Sequence, residues 1–150
     1  MGADILKKFE YLDVILTVIV VFLLYQLLGV VLGTPYPIDV VVSSSMHPNL
    51  YEGDLIVCTR GEPKINDIVI YKGMKKYPII HRVIGINDSY CRGDNPYKIA
   101  IKNKTCYTIK GDNNEVRDPP VSEEQIMCVV RVKIPYIGYP RYLIYKILGI

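Results

Sequence analysis

Two histidines, a run of three serines and one aspartate-rich loop are the residues of this 150-residue chain whose types and spacing suit acid–base and nucleophilic chemistry. The serines stand in SSSMHP, residues 43–48, directly after the β-branched run IDVVV. If residues 41–45 stay extended, side chains two apart share a face, so Ser43 and Ser45 point one way and Ser44 the other. Pro48 disfavours a helical conformation at His47, so the strand cannot simply run on into a helix. Ser45 then sits at a strand end beside a second hydroxyl, which suits a nucleophile with an oxyanion donor next to it. The same residues also read as an ordinary solvated loop.

A serine hydroxyl needs a base, and a neutral imidazole is the natural one. His47 lies in the turn itself and reads as a surface or cleft residue. His81 lies in IIHRVIGI, where a period of two puts it on the face of Ile79 and Val83, pointing into protein. It is either a satisfied core histidine or a base. A buried imidazole base needs an acceptor to orient it. The best acid cluster is KGDNNEVRD, with Asp112 after Gly111 and Asp118 before two prolines, and the spacing does not say which of the two meets His81. A hairpin turn closed by an aspartate or asparagine side chain is the plainer reading of that cluster. Asp94, in GDNP, reads as a plain turn.

Three kinds of segment must position these groups. Residues 14–32, VILTVIVVFLLYQLLGVVL, carry no charge and as a helix span about 28 Å, close to a bilayer's hydrocarbon thickness. A polar face is missing, as expected of an uncleaved transmembrane helix rather than a soluble core helix. Lys7 and Lys8 precede it and no Lys or Arg follows until Arg60, which places the N-terminus in the cytoplasm. Residues 38–135 alternate short β-rich runs with turn signals (IDVVV, DLIVC, DIVIYK, IIHRVIGI, CYTIK, IMCVVRVKI), predicting antiparallel sheets in a sandwich or partly closed barrel. The last stretch, IPYIGYPRYLIYKILGI, is either a strand end plus a short core helix or a segment lying at the membrane surface with tyrosines at headgroup level. Of the four cysteines, Cys91 and Cys106 form the first candidate disulfide pair, with buried free thiols as the alternative. No C-x-x-C pair supports a zinc site. A net charge of +3 and the lack of a basic, aromatic-rich stripe argue against a nucleic-acid partner.

Taken together, SSSMHPNL with the following YEGDLI, then NDIVIYK, IIHRVIGI and IKGDNNEVRD, resemble in order the boxes of type I signal peptidases. The resemblance covers about residues 14–140. The common bacterial members carry lysine at the base position. His81 in its place resembles the histidine-type branch, archaeal and endoplasmic-reticulum. The resemblance implies Ser45 as nucleophile, His81 as general base, Asp118 as the completing acid and Asp112 as a supporting one. It also implies Ser43, with the Ser45 amide, as the oxyanion donor, and a peptide bound extended along a strand edge near Met46. Ser44 stands where glycine is frequent, and the large inserted β-domain of many bacterial members is absent.

The reading is therefore a mainly β protein: a cytoplasmic N-terminus (1–13), a transmembrane helix (14–32), a compact extracytoplasmic antiparallel β-sheet catalytic domain (33–135) and an apolar C-terminal segment (136–150). The implied function is a membrane-bound serine endopeptidase that removes signal peptides from secreted preproteins, needing no metal or cofactor. Its implied partners are preproteins with small residues at the −1 and −3 positions, the lipid bilayer and the protein-export channel. The expected location is the plasma membrane, or the endoplasmic reticulum membrane in a eukaryote. A membrane-tethered β module that only binds a partner is the alternative. A self-cleaving Ser-Lys protease of the repressor type is disfavoured by the anchor and by His81.

Overall fold

Residues apolar on all sides cannot present a wetted face, and residues 14–32 form part of one long helix, α1 (Gly2–Leu32). The computed structural model describes residues 2–74 and 77–149. Met1, Lys75, Lys76 and Ile150, which belong to the N-terminal segment, the KGMKKYP turn and the C-terminal segment of the sequence reading, lie outside them. Tyr11–Leu32, 22 residues, is long and apolar enough to cross a membrane, and none of its most apolar stretch is buried in the protein. The helix starts earlier than the apolar run because the preceding residues include good helix formers such as Ala, Leu and Lys. Gly33, at φ +66°, ends it.

The rest is built on one antiparallel sheet of β1 (Ile38–Val40), β2 (Leu55–Thr59), β3 (Ile68–Tyr71), β4 (Ile79–Ile86), β5 (Cys106–Lys110), β6 (Val121–Ser122) and β7 (Ile126–Ile134). The order is β1-β2-β7-β3-β4-β5-β6, so β7 crosses back between β2 and β3. Three expected runs, IIHRVIGI, CYTIK and IMCVVRVKI, are strands over their full length. The sheet is single, with β1 and β6 at its two ends, rather than two stacked layers. Alternation sends side chains into two cores. Ile56, Cys58, Ile70 and Cys128 join Val41, Met46 and Leu50 in one. Val69, Tyr71, Val83, Tyr107, Ile109, Val121 and Val129 form the other. Each such valine or isoleucine, taken from water, contributes about 1.5–3 kcal/mol.

Two expectations change here. IDVVV is a strand only to Val40; Ser44–Met46 form one turn of 3-10 helix, not a strand end. And α2 (Tyr139–Leu148) has no buried residue, which removes the core-helix reading of the C-terminal segment. Cys91, in the β4–β5 connection, is disulfide-bonded to Cys106 at the start of β5, and Cys58 and Cys128 are buried free thiols.

Candidate active site

The turn that carries the serines is held by tertiary partners rather than by strand pairing. Asn113 donates its backbone N–H to the Ser45 carbonyl at 2.8 Å and its side-chain amide to the Ser44 carbonyl at 3.2 Å. Ser43 is extended, at φ −137° and ψ 158°, and the chain turns after it. The two hydroxyls expected on one face of a strand still meet, because the turn folds them together: Ser43 Oγ and Ser45 Oγ lie 3.2 Å apart. Ser43 and Ser44 are exposed and Ser45 half-buried. His47 is extended, as Pro48 requires, and its imidazole pairs with Glu52 at 2.7 Å, so it is engaged away from Ser45. Met46 corrects the sequence reading. At 1 % exposure its side chain lies in the core with Val41, Leu50 and Ile56, so only the backbone there is open to a peptide.

Strand β4 brings the imidazole. His81 pairs in register with Val69 of β3 and shares its face with Val83, as a period of two demands. It is 5 % exposed. Nδ1 lies 2.5 Å from Asp118 Oδ2. An ionised carboxylate only accepts, so this contact puts a ring proton on Nδ1; in a neutral ring Nε2 then carries the lone pair. Nε2 faces the Asn114 amide at 3.5 Å. Cα atoms of β4 and of the Ser44–Met46 turn approach within 8 Å. Among the described residues Ser45 and His81 form no direct hydrogen bond. Bonds of this kind are often long in a free enzyme and tighten only when substrate is bound.

One loop, 111–120, serves both faces of β4. Asp118 reaches His81 on the Val83 side. Asp112 meets Arg82, which alternation sends to the other side: Nε to Oδ1 at 2.7 Å and Nη2 to Oδ2 at 2.6 Å. Asn49 donates to the same carboxylate at 2.8 Å, tying the serine turn's exit to the loop. Asp112 therefore does not touch His81. The Arg82 hydrogen bonds hold the Asp112 carboxyl below the usual carboxylate range. A carboxyl whose folded-state titration is depressed stabilises the fold fully above its ordinary unfolded value, about pH 4, and loses that contribution as pH falls through the lower folded value. Asp112→Asn should cost about 2 kcal/mol at pH 7. The gap from the parent should narrow at pH 3, read by urea unfolding at both values. A gap equal at the two would contradict the pairing.

The acid's seat is built from behind. The Asp118 N–H donates to the Ile109 carbonyl at 2.9 Å, returning the loop to the sheet. Tyr90 Oη donates to the Asp118 carbonyl at 3.1 Å and Tyr97 Oη to the Arg117 carbonyl at 3.0 Å. Both tyrosines belong to the connection closed by the Cys91–Cys106 disulfide. Tyr71 stands beside Asp118. Burial pushes its phenol up, and the adjacent carboxylate pushes it further, so it stays protonated. A cavity of about 730 Å³ is lined by none of Ser45, His81 and Asp118. A smaller one of about 460 Å³ reaches Asp118 from the side of Tyr71 and Ile79.

Gly111, Arg82, Asn113 and Asn114 were not singled out by the sequence reading. The asparagines follow Gly-Asp, a context in which they suit a plain turn. Gly111 could have been found only in space: a Cβ there would lie 2.7 Å from the Ser45 carbonyl oxygen and 2.7 Å from Asn114 Nδ2. Gly111→Ala must displace the nucleophile's turn or the asparagine. A shift on the order of 1 Å costs about 10²-fold in turnover. We expect that loss in a cleavage assay with the fold retained by circular dichroism; parental turnover would show that the loop's close approach is unimportant.

Among the described residues no group of three or more His, Cys, Asp or Glu side chains is placed to hold a metal ion. Comparison with known proteins bears on the same segments. The family model described as "Signal peptidase, peptidase S26" matches residues 11–125, which include the apolar part of α1 from Tyr11, the serine turn, β4 and the 111–120 loop. The chain is 31 % identical over 135 residues to the signal peptidase complex catalytic subunit SEC11 of Candida tropicalis, covering 82 % of this chain and 74 % of the relative. It is 32 % identical over 148 residues to the subunit of the same name from Pyrenophora tritici-repentis, covering 90 % and 79 %. To that of Schizophyllum commune it is 32 % identical over 136 residues, covering 78 % and 69 %. The family boxes and the converging site residues lie on the same segments of one fold: the chain belongs to the signal peptidase family, peptidase S26.

Proposed function

We propose that the protein is a membrane-anchored serine endopeptidase that removes signal peptides from secreted preproteins, with Ser45 as nucleophile, His81 as general base and Asp118 as the acid that orients it. The observation that carries the reading is the short His81–Asp118 contact, which holds the ring through Nδ1 on a strand whose Cα atoms come within 8 Å of the serine turn.

In the proposed reaction the peptide lies extended along the exposed Val42–Ser44 segment, adding a strand to the backbone there. Nε2 of His81 takes the Ser45 proton as Oγ attacks the scissile carbonyl. Ser43 Oγ and the Ser45 N–H receive the developing oxyanion. The imidazolium, held by Asp118, returns its proton to the leaving amine, and the signal peptide remains as an ester on Ser45. Water, deprotonated by the same nitrogen, hydrolyses the ester. Asp112 acts at a distance, through Arg82 and Asn49, by fixing the loop against the turn. Small side chains at the −1 and −3 positions suit a shallow surface over a turn whose own apolar residue, Met46, is buried. Enzyme and substrate share the bilayer, which raises their effective concentration and fixes the height of the bond to be cut. We place the sheet outside the cytoplasm, in the membrane where preproteins emerge from the export channel.

The test is cleavage of a labelled preprotein by the full chain in lipid vesicles, with the cut located by mass spectrometry. The reading expects one cut, after a small–x–small sequence. An uncut preprotein would instead favour a tethered module that binds without catalysis, and scattered cuts would contradict the proposed specificity.

A further inference from the structure

The C-terminal helix α2 turns its apolar side away from the protein. Pro140, Leu143, Ile144, Ile147 and Leu148 follow the i, i+3, i+4, i+7, i+8 spacing of a single helix face. All five are exposed, Ile147 at 81 % and Leu148 at 61 %. Tyr142 and Tyr145, on the opposite side, are half-buried against the domain. At 100° per residue Arg141 and Lys146 fall on the two flanks of the apolar stripe. Tyr136 and Ile137, just before the helix, are exposed as well.

The position of α2 says what covers this face. Its start is clamped to the sheet. Gly138 donates to the Gly53 carbonyl at 2.9 Å, and the Tyr139 ring lies over Gly53, whose φ of +87° and missing Cβ both permit the contact. Arg141 pairs with Asp39 of β1 at 3.3 Å, and only residues 33–37 separate β1 from the end of α1. The first turn of α2 is thus fastened to the strand that directly follows the apolar helix. If α1 crosses a bilayer, the start of that strand lies close to the outer surface, because the five linking residues reach at most about 18 Å. An amphipathic helix with an apolar stripe, basic flanks and tyrosines is the kind that lies in such an interface.

We propose that the Pro140–Leu148 face lies in the lipid interface of the same bilayer, as a second anchor beside α1. The proposal rests on the reading of α1 as a membrane span. One helix fixes the domain's attachment but leaves it free to tilt and rotate. Two contacts fix its height and inclination. Because α2 is clamped to β1, whose continuation carries Ser43 and Ser45, that inclination is passed to the serine turn.

The test uses the full chain in vesicles of phosphatidylcholine and phosphatidylglycerol. A nitroxide is attached in turn through Ile144→Cys, Ile147→Cys, Val18→Cys in α1, and Val116→Cys in the exposed 111–120 loop. The native cysteines are buried or disulfide-bonded and do not compete for the label. Collision with oxygen, which concentrates in lipid, is compared with collision with a water-soluble nickel chelate. Labels at 144 and 147 should show an oxygen-to-chelate ratio several-fold above that at 116 and below that at 18. Labels at 144 and 147 as open to the chelate as the one at 116, with 18 still in lipid, would overturn the proposal and leave the anchor intact. Labels shielded from both reagents would mean that protein, such as a second copy, covers the face, and would overturn it too. A label at 18 open to the chelate would remove the span, and the proposal with it.

Discussion

Ser45→Ala is expected to abolish preprotein cleavage, lowering turnover by about 10⁴- to 10⁶-fold while leaving the fold intact. The size follows from the division of labour at the site. Without Oγ no acyl ester forms, and only direct attack by water remains. Ser43 cannot substitute. It lies 3.2 Å from Ser45 Oγ, but it sits in the extended segment before the turn, where the proposal gives it the oxyanion rather than the carbonyl carbon. Removing that hydroxyl alone, with the Ser45 amide still in place, would cost less, about 10²- to 10³-fold. Ser45 is half-buried and among the described residues its hydroxyl hydrogen-bonds only with Ser43, so alanine there should hardly change the urea midpoint. Full cleavage by the variant at the same bond would remove Ser45 from the chemistry.

Asp118→Asn is the second large effect, about 10³- to 10⁴-fold in kcat with KM little changed. The carboxylate is a pure acceptor and makes His81 carry its proton on Nδ1. A carboxamide can instead present its NH2 group to Nδ1. The ring then places its proton on Nε2, and the lone pair that should receive the Ser45 proton is gone. The second nitrogen faces Asn114, and in the proposed reaction it is the one that meets Ser45, so the damage lands on the working side of the ring. Asp118 sits in a structured seat, with Tyr90 and Tyr97 holding the backbone on either side of its peptide and Tyr71 close to its carboxylate. The isosteric asparagine should keep that seat, which separates an effect on proton placement from one on folding. A variant with kcat near the parental value would mean that His81 needs no acceptor behind it.

Comparison of these two residues shows what a one-dimensional reading can and cannot reach. The buried orientation of His81 was legible because a strand repeats every two residues, and Ile79 and Val83 on either side are apolar. The choice between Asp112 and Asp118 was not legible. Both lie in an irregular loop with no period, and the loop serves the two faces of β4 at once, giving Asp112 to Arg82 and Asp118 to His81. The serine turn was half legible. The meeting of the Ser43 and Ser45 hydroxyls was expected, but from an extended strand. The chain reaches it through a 3-10 turn because Asn113, 69 residues from Ser44, captures the turn's carbonyls. The burial of the Met46 side chain was not legible for the same reason: the residue lies in the turn and not in an extended strand. The two-residue strand β6 carries too little sequence to signal itself. The exposed apolar face of α2 was one of two readings that composition alone left open, and it was decided by which side of the helix meets the sheet.

The central claim is that a neutral imidazole at position 81, held by Asp118, takes the proton of Ser45. The pH dependence of kcat/KM for the full chain in vesicles, alongside His81→Ala, tests it most directly. An imidazole base is lost on protonation, so the parental profile should fall with a slope of one as the medium passes from neutral to acid, and His81→Ala should be about 10³- to 10⁴-fold slower with that limb absent. A parental profile that stays flat from neutral into acid, or a His81→Ala variant that keeps the parental rate and limb, would contradict it.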